Sequence, residues 1–189
     1  MRLAGRERLG FYPLPIPEAE RIRRFLRFPD QKCPALDPCI GDGAAFAEIA
    51  SERKVLRYGV ELDAGRAEQA RTKGTDVIHG NCFDVQCPVE SFSLIYLNPP
   101  YDFEINEEKS QRMEKLFLEH VYRWLKTGGI LVLVVPAKRI ADCRFCFQGI
   151  SETFVFIGSR NLKVSATGRL RCSECVALDR KETGCEMEK

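Results

Sequence analysis

The sequence has no long apolar run and almost no net charge. No stretch approaches the roughly 20 apolar residues that a membrane-spanning helix needs, and residues 1–7 are polar and charged, unlike a secretion signal. A formal charge of +2, from 29 basic and 27 acidic residues, argues against a protein that holds long nucleic acid by charge alone. The composition, 44% apolar and 30% charged, is that of an ordinary globular protein without a membrane partner.

Internal repeats, flexible linkers and low-complexity tracts are also absent. At 189 residues the chain is long enough for one complete core, so we expect a single domain over residues 1–189. Within it we expect an N-terminal arm and helix at 1–30, a core at 31–178 and a charged tail at 179–189. The nine cysteines are odd in number and follow no secretion signal, which favours the reduced thiols of a cytoplasmic protein over a disulfide framework.

An apolar run at 94–97 ends abruptly in Asn98-Pro99-Pro100-Tyr101. The run predicts a buried parallel strand. Each proline lacks an N–H and restricts both its own φ and the residue before it, so the chain leaves the sheet in a stiff, extended turn. The turn would hold the Asn98 side-chain oxygen and the Pro99 carbonyl as two fixed acceptors, with the Tyr101 ring beside them.

Two fixed acceptors suit the chemistry of an exocyclic amino group. The nitrogen of such a group is a poor nucleophile, because its lone pair is delocalised into the ring. Acceptors on its N–H bonds localise the lone pair, and acceptors held in place beforehand stabilise developing positive charge with little reorganisation. Tyr101 would stack on the face of a base. The alternative is that the turn only ends a strand.

A strand, a glycine-rich turn and a helix open the predicted core. The apolar run at 32–37 is followed by Pro38-Cys39-Ile40-Gly41-Asp42-Gly43 and by helix-forming residues at 44–50, which is the start of a nucleotide-binding βαβ unit. Its glycines allow a ligand to approach the backbone closely. The third glycine of the dinucleotide fingerprint is replaced by Phe46, which argues against a pyrophosphate ligand and permits a smaller, less anionic one.

Acidic residues follow the next two strands. Glu61 ends the second strand roughly 20 residues after the glycines, where a carboxylate can bind both hydroxyls of a ribose. Asp84 follows the third strand, where it would accept a hydrogen bond from an adenine amino group, with Cys82 and Phe83 against the ring. The alternatives are a solvent-facing acid for Glu61 and a turn cap for Asp84.

Periodicity and turn residues predict the remaining elements. Helices are expected at 18–28, 64–73, 111–126 and 138–147. Gly128-Gly129 is expected to end the helix at 111–126. Further strands are expected at 130–135, 153–158 and 172–178, which makes seven in all.

Together, Asp37-Pro38-x-x-Gly41-x-Gly43, Val60-Glu61, Asn81-Cys82-Phe83-Asp84 and Asn98-Pro99-Pro100-Tyr101 resemble the S-adenosylmethionine-dependent amino-methyltransferases, especially the N6-adenine type. The resemblance covers about residues 10–178. It implies an α/β, Rossmann-like class I methyltransferase fold: a seven-stranded, mostly parallel sheet with an antiparallel last strand and helices on both faces. It also implies S-adenosylmethionine as cofactor and methyl transfer to an exocyclic amino group, adenine N6 in DNA or RNA.

The resemblance assigns roles residue by residue. Residues 37–43 would surround the methionine part of the cofactor, Glu61 would bind its ribose, and Asp84 its adenine amino group. Gly10-Phe11-Tyr12-Pro13 is similar to the N-terminal cofactor-closing motif, although Leu14 stands where a threonine is usual. The implied catalytic residues are Asn98, Pro99, Pro100 and Tyr101. The implied cofactor-binding residues are Phe11, Tyr12, Pro13, Asp37, Pro38, Gly41, Gly43, Glu61, Phe83 and Asp84.

The sequence leaves the target open. Sequence-specific DNA adenine methyltransferases carry a sizeable recognition segment, whereas this chain offers only the loop at 102–110 and seven arginines within its first 27 residues. Recognition is then minimal or supplied by a protein partner, or the target is RNA or protein. A glutamine side-chain amide of a protein is the alternative substrate, and a non-catalytic partner subunit the alternative role. The arginines fit either a phosphate-contacting arm or a solvated helix face.

Two cysteine pairs have the spacing of structural zinc ligands. Cys143-x-x-Cys146 falls in a predicted helix and Cys172-x-x-Cys175 in a predicted strand, rather than on the turns that such sites use. We therefore expect no metal.

Overall fold

The computed structural model describes residues 12–100, 103–104, 111–134, 153–157, 171–172 and 175–178. Phe11, Tyr101, the predicted helix at 138–147 and the whole predicted tail at 179–189 lie outside these residues. The helices are α1 Ile16–Phe25, α2 Ala44–Ile49, α3 Ala64–Thr72 and α4 Met113–Val121, with 3-10 turns at Cys82–Asp84 and Tyr122–Trp124. The strands are β1 Cys33–Asp37, β2 Val55–Glu61, β3 Asp76–His79, β4 Phe92–Leu97, β5 Phe103–Glu104, β6 Gln111–Arg112, β7 Leu125–Val134, β8 Thr153–Ile157, β9 Arg171–Cys172 and β10 Cys175–Leu178.

The main sheet has eight strands among the residues described, in the order β3-β2-β1-β4-β7-β8-β10-β9. The six strands from β3 to β8 run parallel, and β10 is antiparallel to both of its neighbours. The seven strands that we expected become eight because β9 adds a two-residue strand, while β5 and β6 form a separate antiparallel pair. The strand order reverses between β1 and β4, where a crevice forms beyond the strand ends in open α/β sheets.

The central strands are apolar on both sides because both faces of the sheet are covered. Leu94 and Tyr96 of β4 belong to one core cluster, and Ile95 and Leu97 belong to the other. The adjacent strand β7 alternates in the same way. Successive side chains of a continuous apolar run therefore point alternately into the two hydrophobic layers on either side of the sheet, as in parallel sheets generally.

Helices cover both faces, as predicted. Helices α1 and α2 pack on the Leu94 side, where the Phe46 ring stacks on Tyr96 at 6.2 Å between centroids. Helix α4 covers the other face through Leu118 and the buried Trp124 that follows it. The longest helix described, α1, has ten residues, and none of the described helices is long and apolar enough to span a bilayer.

Two predicted helix ends are wrong. In both cases an apolar residue that was predicted to be helical has extended backbone instead, and its side chain is buried in the core. The helix predicted at 111–126 stops at Val121, and β7 begins at Leu125 and runs through Gly128-Gly129. Leu125 pairs with Phe92 on the neighbouring strand β4. The last residues of the helical pattern therefore form a strand instead of continuing the helix. The helix predicted at 18–28 stops at Phe25, because Leu26 adopts extended backbone and is itself buried.

Candidate active site

A cavity of about 750 Å³ opens where β1, β2, β3 and β4 end. Sequence motifs that lie far apart in the chain meet there, because the carboxyl ends of parallel strands share one edge of the sheet. Eight of the predicted site residues line it, namely Tyr12, Pro13, Asp37, Pro38, Glu61, Phe83, Asn98 and Pro100. Four others do not, namely Gly41, Gly43, Pro99 and Asp84. The remaining two, Phe11 and Tyr101, lie outside the described residues.

Gly41 and Gly43 do not line the cavity themselves, but they belong to the turn whose residues Ile40 and Asp42 line it. Both have positive φ, 59° at Gly41 and 76° at Gly43, which L side chains rarely adopt. A Cβ atom at Gly43 would lie 2.9 Å from the Cβ of Ala70, so the turn packs directly on α3. The Gly41 N–H donates to Glu61 Oε2 at 2.9 Å, which ties the turn to the end of β2.

Glu61 is a buried carboxylate with several hydrogen-bond donors. Its Oε1 accepts from the Asp63 N–H at 2.9 Å and from Nε and Nη2 of Arg66 at 3.0 and 2.6 Å. Its Oε2 accepts only the Gly41 N–H among the hydrogen bonds described, which leaves a lone pair for a ligand. Arg66 also lines the cavity, and our reading of the sequence missed it. The signal was an arginine one turn into the helix that follows a strand-end acid.

Asp37 is the second buried carboxyl group at the cavity. Its Oδ1 accepts the Cys39 N–H at 3.0 Å. Burial raises its pKa well above the usual 3.8, against the lowering effect of that hydrogen bond, and the nearby Glu61 charge raises it further. The Cys39 and Cys82 thiols are buried near the Asp37 charge, and both effects raise their pKa values. The pKa of Cys82 rises to about 12. A cation beside Asp37 would offset the desolvation of its charge.

The 3-10 turn Cys82–Asp84 forms another wall and is held by α4. Nε2 of His120 lies 3.0 Å from the Cys82 carbonyl oxygen, which can only accept, so Nε2 carries the proton. The Phe83 ring lies 4.7 Å from Phe117 and 5.3 Å from His120 between centroids. His120 thus packs against this turn and hydrogen-bonds to it. Asp84 points to solvent from this turn, and Asn81, whose side chain accepts the Phe83 N–H, lines the cavity instead.

Asn98 brings the N-terminal segment onto the Asn-Pro-Pro turn. Its Nδ2 donates to the main-chain carbonyl of Tyr12 at 2.8 Å, across 86 residues of chain. Both residues line the cavity that Asp37 and Glu61 also line. The amide and the two carboxyl groups therefore share one cavity, as the predicted reaction requires.

The arginines of α1 lie away from this cavity. Arg21 pairs with Glu18, and Arg23 pairs with Glu52, which precedes β2 at the opposite edge of the sheet. Arg27 donates to two main-chain carbonyls at the end of α1. Of the seven N-terminal arginines, the four that the structure describes do not line the cavity, and they fit the solvated helix face better than a phosphate-contacting arm.

No group of three His, Cys, Asp or Glu side chains in the described part of the chain is arranged to hold a metal ion. Cys33, Cys39, Cys82 and Cys87 are free thiols. Cys172 and Cys175 lie opposite each other on β9 and β10, and the Cys143-x-x-Cys146 pair lies outside the described residues.

Several known proteins that are similar to this chain are methyltransferases. The profile of an uncharacterised methyltransferase family, DUF6094, matches residues 1–156, and no curated protein matches the chain. A TehB-like S-adenosylmethionine-dependent methyltransferase from Corynebacterium glutamicum shares 16% identity and a TM-score of 0.56, over 84% of both chains. A Listeria monocytogenes protein assigned to the class I S-adenosylmethionine-dependent methyltransferases shares 16% identity and a TM-score of 0.57, over 69% of this chain and 49% of that chain.

A third similar structure is the methyltransferase subunit of a type I restriction-modification system from Streptococcus thermophilus. It shares 19% identity and a TM-score of 0.52, over 78% of this chain and 34% of that chain. The chain thus spans about half of the Listeria protein and a third of the Streptococcus subunit. At these identities the similarity concerns the fold, and the predicted class I methyltransferase fold is confirmed.

Proposed function

Because this chain belongs to DUF6094, an uncharacterised methyltransferase family whose fold relatives use S-adenosylmethionine as cofactor, we propose that it methylates an exocyclic amino nitrogen. The substrate that we propose is adenine N6 in DNA or RNA. One observation carries the proposal: the Asn98 amide lines the same cavity as the buried carboxyl groups of Asp37 and Glu61.

The residues of the cavity fit this cofactor. S-adenosylmethionine carries positive charge on its sulfonium and ammonium groups, and Asp37 is a desolvated carboxyl group beside the glycine turn that gains from a cationic partner. Glu61 would take a ribose hydroxyl on Oε2, because Oε1 already accepts three hydrogen-bond donors. Phe83 supplies a flat apolar wall for adenine.

The Asn-Pro-Pro turn would activate the target nitrogen. In this proposal Asn98 Oδ1 and the Pro99 carbonyl accept the two amino hydrogens, which localises the nitrogen lone pair and stabilises the charge that develops on it. When bound, S-adenosylmethionine supplies a methyl group on a sulfonium, which leaves as a neutral thioether while the nitrogen takes the carbon and releases a proton to water. The chain therefore needs no covalent intermediate of its own. Tyr101, as a stacking residue, and Phe11, as part of the closing motif, remain predictions.

The cavity lining suits an uncharged, flat target. Tyr12, Ile16 and Leu62 line it and are 45%, 41% and 53% exposed, so its accessible lining includes apolar surface. Among the residues that the structure describes, one cationic side chain lines it, Arg66, and this side chain is paired with Glu61. These features favour a base that is single-stranded or already extruded, since flipping a base from a duplex costs a few kcal/mol. We propose that a protein partner supplies any sequence recognition.

Methyl transfer from labelled cofactor to DNA, RNA and protein fractions in parallel tests this function. We expect label that nuclease removes and protease does not, recovered as N6-methyladenine by mass spectrometry. Asn98→Ala should reduce transfer at least about 100-fold, the scale seen when one such hydrogen-bond partner is removed. Gln31→Glu, an exposed change before β1 at the opposite edge of the sheet, is the matched control and should keep wild-type activity.

Two other outcomes would replace the proposal. Label that resists nuclease and is lost with protease would favour a glutamine side-chain amide, a candidate that the near-neutral charge and the remote arginines of α1 support. Failure to bind S-adenosylmethionine in calorimetry would favour a non-catalytic partner subunit. A cytoplasmic location is part of the proposal, since the four described thiols are free.

A further inference from the structure

We propose that the main-chain carbonyl of Tyr12 is a positioning group for catalysis. It fixes the Asn98 amide so that the oxygen, and not the nitrogen, faces the target amino group. The proposal rests on the proposed function, because it names what makes Asn98 an acceptor. It depends on a contact between two segments that are 86 residues apart in the chain.

The direction of the contact follows from hydrogen-bond chemistry. A side-chain amide has a donor end and an acceptor end of nearly the same shape, whereas a carbonyl oxygen can only accept. At 2.8 Å from the Tyr12 oxygen, the Asn98 atom must therefore be the nitrogen. A flipped amide would place two oxygens against each other and present N–H donors to an amino group that also donates. One carbonyl thus excludes the inactive orientation.

The segment that carries this carbonyl is stiff and well anchored. Pro13 and Pro15 each fix their own φ and restrict the residue before them. The Pro15 carbonyl accepts the N–H groups of Glu18 and Ala19 at 3.0 and 3.1 Å, which joins the segment to α1. Ala19 is fully buried in the core. The segment at 12–15 also lines the cavity, so the group that orients Asn98 belongs to the wall of the proposed site.

Replacing Asn98 with aspartate separates positioning from hydrogen-bond acceptance. The variant keeps two oxygens that can accept the amino hydrogens but loses the donor to Tyr12. When ionised, its carboxylate faces the carbonyl at the distance of a hydrogen bond and is repelled. When protonated, its O–H donates to Tyr12 and its other oxygen still accepts. The repulsion raises the pKa of the new carboxyl group above the usual value of about 3.9, so its function is lost as pH rises through that pKa.

The test measures methyl transfer to an adenine-containing single-stranded oligonucleotide between pH 5 and pH 9. Relative to wild type at each pH, Asn98→Asp should be reduced at least about tenfold in kcat at pH 8 and should recover most of that loss near pH 5. Asn98→Ala, which has neither end of the amide, should stay low throughout. Gln31→Glu adds the same charge at the opposite edge of the sheet and should follow wild type. Full activity of Asn98→Asp at pH 8 would overturn the proposal.

Thermal unfolding of the cofactor-free protein tests the contact between Asn98 and the Tyr12 carbonyl even if no methyl transfer is found. Tm of Asn98→Asp should match wild type near pH 4 and fall below it by about 2–4 °C at pH 8, because a carboxyl group with a raised folded pKa loses stability as pH rises. Gln31→Glu should show no such trend. A difference that is independent of pH would refute the Tyr12 contact, whereas absent methyl transfer by wild type would refute only the proposed function.

Discussion

Adding one methyl group at Gly43 tests whether the glycine turn supports the cavity wall. Gly43 has φ of 76°, and a Cβ there would lie 2.9 Å from Cβ and 3.0 Å from Cα of Ala70. An L-residue in this conformation costs about 1–2 kcal/mol. Overpacking against α3 costs a further 1–3 kcal/mol or so. We expect Gly43→Ala to lower the free energy of unfolding by about 3 kcal/mol, which lowers Tm by roughly 6–12 °C in a chain of this length.

Ala70→Gly separates the two costs. It removes the methyl group that the new Cβ meets, but on its own it costs about 1 kcal/mol of helix stability in α3. In the double variant the strain at Gly43 persists, while the collision with the Ala70 side chain is gone and only its Cα remains close. We therefore expect the two changes together to cost less than their sum, by about 1–2 kcal/mol.

Urea unfolding of the wild type, Gly43→Ala, Ala70→Gly and the double variant gives this coupling energy. Calorimetry gives the affinity of each protein for S-adenosylmethionine. Gly43→Ala should weaken cofactor binding, and Ala70→Gly should partly restore it, because the turn moves back toward α3. Costs that add within about 0.5 kcal/mol would show that the packing of Gly43 on Ala70 is not what destabilises the variant. Unchanged cofactor affinity with a large loss of stability would refute the role of the turn as a wall.

Three further results are expected. Cofactor affinity should weaken as pH falls through the raised pKa of Asp37, since protonation removes the charge that pairs with a cation, and calorimetry of Asp37→Asn should show a weaker pH dependence. Alkylation of Cys82 followed by mass spectrometry should at pH 8 be about 1000-fold slower than for a thiol of pKa 9, because its own pKa is about 12; rapid labelling would contradict this. Gly59→Ala should cost about 1–3 kcal/mol in urea unfolding, because its Cβ would lie 2.7 Å from Ile40, whereas Gly80→Ala, with nothing within 4 Å, should cost little; equal losses would refute the packing argument.

The fold was largely predictable because its signals are local. Apolar runs that end in Gly, Pro or acidic residues mark strands whatever lies beside them in space. The errors fall where a distant partner decides. Nothing near Leu125 in the sequence shows that it pairs with Phe92, so the helical pattern before it extended the predicted helix too far.

The site was predictable where a motif follows a strand, because the sheet brings strand ends together. Glu61 and Asn98 line one cavity for this reason. Arg66 was missed, since its place at the cavity depends on how α3 lies on the sheet. The Tyr12 carbonyl contact was missed for another reason: every residue carries a carbonyl group, so residue identity gives no signal for it.

The long separation between Tyr12 and Asn98 has a consequence during synthesis on the ribosome. The contact closes a loop of 86 residues, so it forms only after β1, β2 and β3 have emerged and β4 has joined β1. A nascent chain that ends before Asn98 contains the glycine turn and Glu61 but lacks the acceptor that we propose for the target. Under the proposed function, the acceptor is completed only late in synthesis, and chains that end before Asn98 would be inactive.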